Sequence, residues 1–278
     1  MHHVVFIASL LHSGSTVLNL LLGGHPRFVG LGEIAHVLRP GPKGVERARR
    51  LLCSCTATMD NCIFWGQVAA ELRSNDQLGV QDRYRLVLDT CKQVFGGDRT
   101  PVDSSKYLRS LQAIRRNPHV TDLKVLFVIK DVRAFTVSRL DRAKGKAGQW
   151  KHRIPAYHFL SWYLRNKRIK TFLRQENIAH LQIGYEELCF SPNHMIQEIC
   201  TFLGEPPDLS MLSLQDSCSH IIRGNRMRLQ PEKRQGILYD HRWLYRREWL
   251  LCALLFPPIM RFNAREVYNN GAGNLWTQ

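Results

Sequence analysis

Five consecutive residues, His12-Ser13-Gly14-Ser15-Thr16, have the types that hold a negatively charged group: a glycine that lets the backbone turn tightly, hydroxyls that donate, and one imidazole. They lie inside VVFIASLLHSGSTVLNLLL, Val4 to Leu22, which reads as a buried strand running through a small-residue turn into a helix. Such a turn points free backbone N–H groups and the positive end of the helix dipole at one spot, so an anion is the expected guest. The plainer alternative is an ordinary strand-to-helix turn with Thr16 as the N-cap.

Which anion follows from what the loop lacks. Against the triphosphatase pattern G-x-x-x-x-G-K-[ST], Ser9 replaces the first glycine, Gly14 matches the second, and Ser15 stands where the phosphate-neutralising lysine belongs, with Thr16 after it. A donor with a less charged transferable group, needing no metal, suits backbone amides, hydroxyls and one basic side chain, His12. A P-loop kinase acting on a small molecule is the enzymatic alternative. A nucleotide-binding or anionic-polymer-binding module without turnover is the non-enzymatic one.

The elements that must position this loop are legible in outline. Thr100 to Asp103 reads as a short strand delivering Ser104, Ser105 and Lys106 at the start of the next helix. Lys124 to Ile129, KVLFVI, is a continuous apolar run of the kind found in parallel strands covered on both faces. It ends in charge, Lys130-Asp131-Val132-Arg133, and continues as a helix over Ala134 to Leu140 carrying Ser138 and Arg139. Ala156 to Glu176 has apolar residues at helical spacing, Ile178 to Ile183 reads as a strand with Tyr185 at its exit, and Pro192 to Leu203 as a helix stopped by Gly204. Repeated β-loop-α units imply a three-layer α/β/α fold around a central, mostly parallel sheet with a P-loop-like nucleotide site. In open α/β sheets ligands bind at the carboxyl ends of the strands, where the basic groups here fall.

At 278 residues and 44% hydrophobic content the chain can bury a sizeable core, and we read it as one domain, 1–278. The Pro/Gly-rich stretch Arg39 to Gly44 opens a helical insertion, 39–99, that is a candidate acceptor lid. A formal charge of +16 suits an anionic ligand, but the basic residues are dispersed and no nucleic-acid-binding signature is present, so nucleic acid is not the expected partner. The first strand begins within three residues, and the apolar run Trp249 to Met260 is broken by Pro257 and Pro258, short of the roughly 20 residues of a membrane span. A cytoplasmic protein without a membrane span is expected; the oligomeric state is not legible. Cys53, Cys55 and Cys62 form C-x-C-x6-C, which lacks the paired spacing usual for zinc, so plain packed thiols are expected ahead of a metal site or a disulfide.

Four segments together resemble the sulfotransferases that use 3′-phosphoadenosine-5′-phosphosulfate (PAPS). HSGST resembles their 5′-phosphosulfate loop, [RK]-S-G-[ST]-T. IKDVRAFTVSR resembles the 3′-phosphate segment, in which R-D-P-R-A is followed by a serine eight residues after the first basic position. GYEELCFSPNHMIQEICTFLG resembles the Y-E-D-L plus F-L-G region, and HIIRGNRMR, His220 to Arg228, the late G-N basic motif. Two positions depart from the pattern: His12 stands for Arg or Lys, and Lys130-Asp131-Val132 for R-D-P.

The resemblance implies transfer of a sulfonate from PAPS, as co-substrate, to a hydroxyl or amine of an acceptor, which is a small molecule, glycan or lipid. Ser13, Gly14, Ser15 and Thr16 would hold the 5′-phosphosulfate with His12. Lys130 and Ser138 would take the 3′-phosphate with Arg133 nearby, Tyr185 would lie near adenine, and Arg223, Gly224 and Arg228 would complete the 3′-phosphate site. Glu33 is the chosen general base, with His36 and His119 as alternatives, and His12 and Lys106 stabilise the leaving group. No metal is required.

Overall fold

The computed structural model describes residues 2–39, 44–144 and 150–268. Six strands, β1 (His2–Ser9), β2 (Phe28–Gly32), β3 (Thr100–Lys106), β4 (Val120–Ile129), β5 (His180–Gly184) and β6 (Ser219–Ile222), form one sheet in the order β5-β4-β1-β3-β2-β6. Pairing is parallel where β1 meets β3 and where β2 meets β3 and β6. The α/β class and the parallel sheet expected from the repeated strand-loop-helix pattern are what the chain adopts. Among the described residues no helix is long and apolar enough to cross a membrane.

The chain divides into two compact units. The first comprises residues up to 8, 15–125 and 196–237. It holds α1 (Ser15–Leu22), all eight residues of which are buried because apolar side chains surround the helix on every face. Between β2 and β3 it adds α2 (Val45–Ala48), α3 (Trp65–Ser74) and α4 (Val80–Phe95), and after β3 comes α5 (Leu108–Arg115). An antiparallel bridge joins Leu52 and Thr58 ahead of α3. Pro40 to Lys43 of the Pro/Gly-rich stretch lie outside the described residues.

The second unit comprises 9–14, 126–195 and the chain from 238 on. It carries α6 (Val132–Ala143), α7 (Pro155–Gln175), α8 (Tyr185–Phe190), the start of α9 (Pro192–Leu203), α10 (Leu250–Leu255) and α11 (Pro257–Asn263). The core of this unit is lined by His158, Phe159, Trp162, Asn166, Ile169 and Leu173 of α7, spaced as one helical face, and the Trp162 indole donates to the Lys130 carbonyl at 2.9 Å. Of 145–155, a segment the sequence offers as an acceptor-pocket insertion, residues 145–149 lie outside the described residues.

Three boundaries differ from the sequence reading. Ser104, Ser105 and Lys106 belong to β3 rather than to the start of α5, which begins at Leu108, because the parallel pairing with β1 runs on from Asp103 opposite Phe6 to Lys106 opposite Ala8; the Asp103 carboxylate accepts the Ser105 N–H (2.8 Å) and hydroxyl (2.5 Å). α6 starts at Val132, two residues early, because Asp131 caps it by accepting the Arg133 N–H at 2.7 Å. The edge strand β6 and the two C-terminal helices have no strong periodicity in the sequence and were not expected.

The close fit of β2 under α1 makes a test of this packing. A Cβ at Gly30 would collide with the Asn19 carboxamide oxygen and lie 2.6 Å from the Ser219 hydroxyl and 2.9 Å from the Asn19 carbonyl. Gly30→Ala should cost about 1–3 kcal/mol through overpacking. Thermal unfolding measures it, and a variant as stable as the wild type would show that this contact is not made.

Candidate active site

The loop between β1 and α1 takes a conformation that its residue types explain only in part. His12 (φ 67°) and Gly14 (φ 89°) both occupy the left-handed region. Glycine adopts it freely and histidine only at a cost. A Cβ on Gly14 would come within 2.5 Å of the Tyr185 ring, so the glycine is required twice, by its φ and by the ring stacked against it. Ser13 is buried on the loop, and Ser15 and Thr16 are buried in the first turn of α1. The Thr16 hydroxyl does not cap α1, which starts at Ser15: it accepts the Asn225 N–H at 3.1 Å.

In the second unit the loop segment 9–14 shares Tyr185 with the end of β4. The ring has Gly14 against it and the Lys130 ammonium 4.8 Å from its centroid. Lys130 is 2% exposed, and its Nζ donates to Asp240 Oδ2 at 2.9 Å. The Ser138 hydroxyl, one and a half turns into α6, reaches the same oxygen at 3.2 Å while bonding the Ala134 carbonyl at 2.9 Å. The Tyr185 hydroxyl donates to the Leu238 carbonyl at 3.1 Å and accepts the Asp240 N–H at 3.2 Å. Lys130 and Ser138 thus converge on one anionic oxygen, beside the Tyr185 ring, whose hydroxyl accepts the Asp240 N–H. Burial pushes the Asp240 carboxyl up, but the Arg242 hydrogen bond and the Lys130 charge outweigh it and hold the group well below the usual range. Asp240 carried no signal in the sequence, since a lone aspartate in a basic loop is unremarkable.

Arg133 is differently employed. Its guanidinium grips Asp131 through Nε (3.0 and 3.2 Å) and Nη2 (2.7 Å) and lies 4.3 Å from the centroid of the Trp243 ring. Asp131, fully buried, also accepts from Asn263 (2.9 Å) and the Tyr268 hydroxyl (2.8 Å), so the pair braces the start of α6. The Asp131 N–H points to both oxygens of Glu186 at 3.2 Å, and burial together with the Asp131 charge pushes Glu186 up to about 7.

The first unit assembles a second cluster at the ends of β2 and β3. Glu33 Oε1 receives the Lys106 ammonium at 2.5 Å and Oε2 the His36 Nε2 at 3.1 Å. Burial pushes the Glu33 carboxyl up, but the His36 hydrogen bond and the Lys106 charge hold it down at about 2. His36 is brought to the candidate base; His119, the other alternative, pairs with Asp82 at 3.3 Å. His36 also lines a shallow pocket with Arg47 and Arg223.

Gly224 (φ 122°) leaves only 2.9 Å between a would-be Cβ and the Thr16 hydroxyl, so the late G-N motif lies directly against the start of α1. Arg228 is buried, and its guanidinium donates to the carbonyls of Ile221 (3.2 Å) and Leu52 (2.9 Å). Five non-glycine residues among those described have positive φ, and three of them are His12, Lys106 and Arg223, the basic residues singled out at strand ends. Backbone strain of this kind persists where surrounding structure over-determines it, which is typical of functional loops.

The profile of the sulfotransferase family matches residues 5–208. Among solved structures, the sulfotransferase domain from the curacin biosynthetic pathway aligns over 92% of this chain and 98% of its own, with a TM-score of 0.59 at 19% identity. The sulfotransferase domain of the Synechococcus PCC 7002 olefin synthase covers 92% and 96%, with a TM-score of 0.52 at 18% identity. Sulfotransferase STF9 from Mycobacterium avium covers 95% and 76%, with a TM-score of 0.50 at 14% identity. No protein of curated function matches the sequence. At these identities the structures speak for the fold alone, whereas the family match spans most of the chain: this protein belongs to the sulfotransferase family.

Proposed function

We propose that the protein transfers the sulfonate of PAPS to a hydroxyl or amine of a small-molecule, glycan or lipid acceptor, acting as one domain, 1–278, with 39–99 as the acceptor lid. The observation that carries this reading is the convergence of Lys130 and Ser138 on a single anionic oxygen beside Tyr185 and Gly14. A buried ammonium and a hydroxyl aimed at one oxyanion are suited to a phosphate, and Asp240 Oδ2 stands in for a phosphate oxygen. A strand-end cation paired with an aromatic face is what a bisphosphate nucleotide with a purine requires.

The donor supplies an activated sulfonate and a bisphosphate leaving group. Ser13, Gly14, Ser15 and Thr16 bind its 5′ end through backbone N–H groups and hydroxyls, with His12 adding a basic side chain. Lys130 and Ser138 bind the 3′-phosphate and Tyr185 packs near the adenine, while Arg133 braces α6 through Asp131. Arg223 and Gly224 join the 3′ side, and Arg228 holds their segment by its two carbonyl contacts. Glu33 takes the proton of the attacking hydroxyl as the new S–O bond forms, and the bridging S–O bond breaks with its electron pair on the phosphate oxygen. Lys106 and His12 stabilise that charge. The reaction balances without a metal or a redox partner.

Calorimetry without metal should show adenosine 3′,5′-bisphosphate binding more tightly than ADP. Lys130→Ala should weaken the bisphosphate by roughly 10- to 100-fold, the worth of a charge-assisted hydrogen bond, and Asp240→Asn should tighten it, because a competing carboxylate is removed. A preference for ATP with Mg²⁺ would instead establish the kinase reading, and unchanged affinity in both variants would displace the 3′-phosphate assignment.

Glu33→Gln should slow transfer by about 10²-fold or more with the bisphosphate affinity retained. Because the folded carboxyl titrates at about 2 against an ordinary 4.5, its pairing contributes stability in full above 4.5 and loses it as pH falls through about 2. The melting-temperature deficit of Glu33→Gln is therefore expected to be flat above about pH 5 and to shrink below it. Equal losses of binding and rate would reduce Glu33 to a structural role.

His12→Arg should keep or raise activity and His12→Ala should lose most of it; normal turnover in the alanine variant would remove His12 from the cradle.

A further inference from the structure

C-x-C-x6-C has only three ligands and no paired spacing. The fold supplies the fourth. β6 brings His220 to the cysteine loop, with its Nδ1 3.1 Å from Cys62 Sγ and 3.8 Å from Cys53 Sγ. Cys62 Sγ lies 3.7 Å from both Cys53 Sγ and Cys55 Sγ, and all four donor atoms fall within 4.8 Å of one another. All three cysteines are free thiols.

From these four donors we infer that Cys53, Cys55, Cys62 and His220 bind one zinc ion in a closed tetrahedral Cys₃His site. With Zn–S near 2.3 Å and Zn–N near 2.0–2.1 Å, tetrahedral geometry puts sulfurs about 3.7 Å apart and sulfur and nitrogen about 3.6 Å apart; the two sulfur–sulfur distances to Cys62 are 3.7 Å and the His220 Nδ1 distances of 3.1 and 3.8 Å bracket the second value. A disulfide would join two sulfurs and leave the third thiol and the imidazole without a role. An iron–sulfur cluster carries its ligands on separate irons and needs a wider ring than 4.8 Å. Three thiolates and an imidazole select zinc among common divalent ions by softness and geometry. Four protein ligands leave no open position, so the ion is structural and takes no part in the transfer.

The surroundings fit a thiolate-rich ion. The Trp65 N–H points at Cys62 Sγ at 3.5 Å, the outer-shell contact that orients a metal-bound thiolate. The His220 imidazole is wedged beside Phe64 and Phe95, with ring centroids 6.3 and 5.2 Å away, and the Trp65 indole donates to its carbonyl. Three thiolates and Zn²⁺ leave a net charge of −1. Two buried guanidinium groups lie nearby to offset it: Arg228 bonds the Leu52 carbonyl and Arg234 the Ser54 carbonyl (3.1 Å), one on each side of Cys53. Ser54 ties the same loop to β6, its N–H donating to the Ile221 carbonyl (3.1 Å) and its hydroxyl accepting the Ile221 N–H (2.8 Å). The ion would therefore staple the start of the insertion to the strand that leads directly into Arg223 and Gly224.

The test is metal content of the full chain, purified from zinc-containing medium without chelator. About one zinc per chain is expected, retained through dialysis, with release by a strong chelator that lowers the melting temperature and recovery when zinc is returned. Cys62→Ser and His220→Ala should lose most of the zinc, whereas Cys252→Ser, a buried thiol elsewhere, should keep it. Should the ligand variants fail to fold, cobalt exchanged into the wild-type protein gives an independent readout. A tetrahedral Cys₃His site shows intense visible ligand-field bands with thiolate charge transfer in the near ultraviolet. Well-folded protein with no bound metal, an equivalent of iron or copper in place of zinc, or weak octahedral cobalt bands would each overturn the assignment.

Discussion

A lysine ammonium that is 2% exposed has to be paired, and much of the second unit is arranged around that requirement at Lys130. Stripping water from an ammonium costs several kcal/mol, recovered only with a counter-charge in good geometry and its donors satisfied. Asp240 supplies the charge, the Tyr185 ring an electron-rich face, and Ser138 a further donor to the same carboxylate. Those three contacts in turn fix the chain around 238–240 through the Tyr185 hydroxyl and fix Gly14 through the ring. The contacts that neutralise one cation are also those of the proposed anion cradle. In the proposed reaction the nucleotide's 3′-phosphate replaces a carboxylate already selected by the same donors, so the ligand inherits pre-organised partners and little of its binding energy is spent ordering them.

The same logic explains why the basic groups are held on strained backbone. His12 follows β1, Lys106 ends β3 and Arg223 follows β6, each in the left-handed region where a side chain other than glycine costs free energy. At the carboxyl end of a parallel strand the chain must leave the sheet, and a left-handed residue there turns it sharply enough to present its side chain at the edge where ligands bind. Register shifts accompany two of these exits, between Phe6 and Ala8 against β3 and between Gly30 and Gly32 against β3 and β6. The irregularity sits toward the carboxyl ends of the strands, beside the residues of the proposed site.

Local signals carried a good part of this. KVLFVI, the His12–Thr16 turn and the apolar face of α7 are properties of short windows, and the structure places them as strand, loop and buried helix. What escaped the sequence depends on contacts at long range. Asp240 acquires meaning only because Lys130, 110 residues away, points at it. His220 meets Cys62 across 158 positions, so no spacing rule written for a contiguous motif finds the pair. Asp131, two positions from Arg133, is fully buried, with Asn263 and Tyr268 reaching it from 132 and 137 positions away. Side chains of Ser104 to Lys106 were legible as chemistry and misplaced as structure, since pairing with β1, another long-range contact, extends the strand to Lys106.

Lys106 ties the acid and base halves of the proposed chemistry together. While it rests on Glu33 Oε1, the carboxylate is held down at about 2 and is a poor proton acceptor at neutral pH. In the proposed reaction, charge developing on the departing phosphate oxygen draws the ammonium away, and losing that contact lets burial push the Glu33 carboxyl part of the way back up against the His36 hydrogen bond that stays. Basicity at Glu33 then rises as the leaving group departs, which is when the attacking hydroxyl, partly bonded to sulfur, becomes acidic. His36 remains on Oε2 throughout and keeps the carboxylate oriented. In the proposed reaction one lysine shared between two anions couples proton removal to bond cleavage, and Lys106 reaches Glu33 from a left-handed backbone.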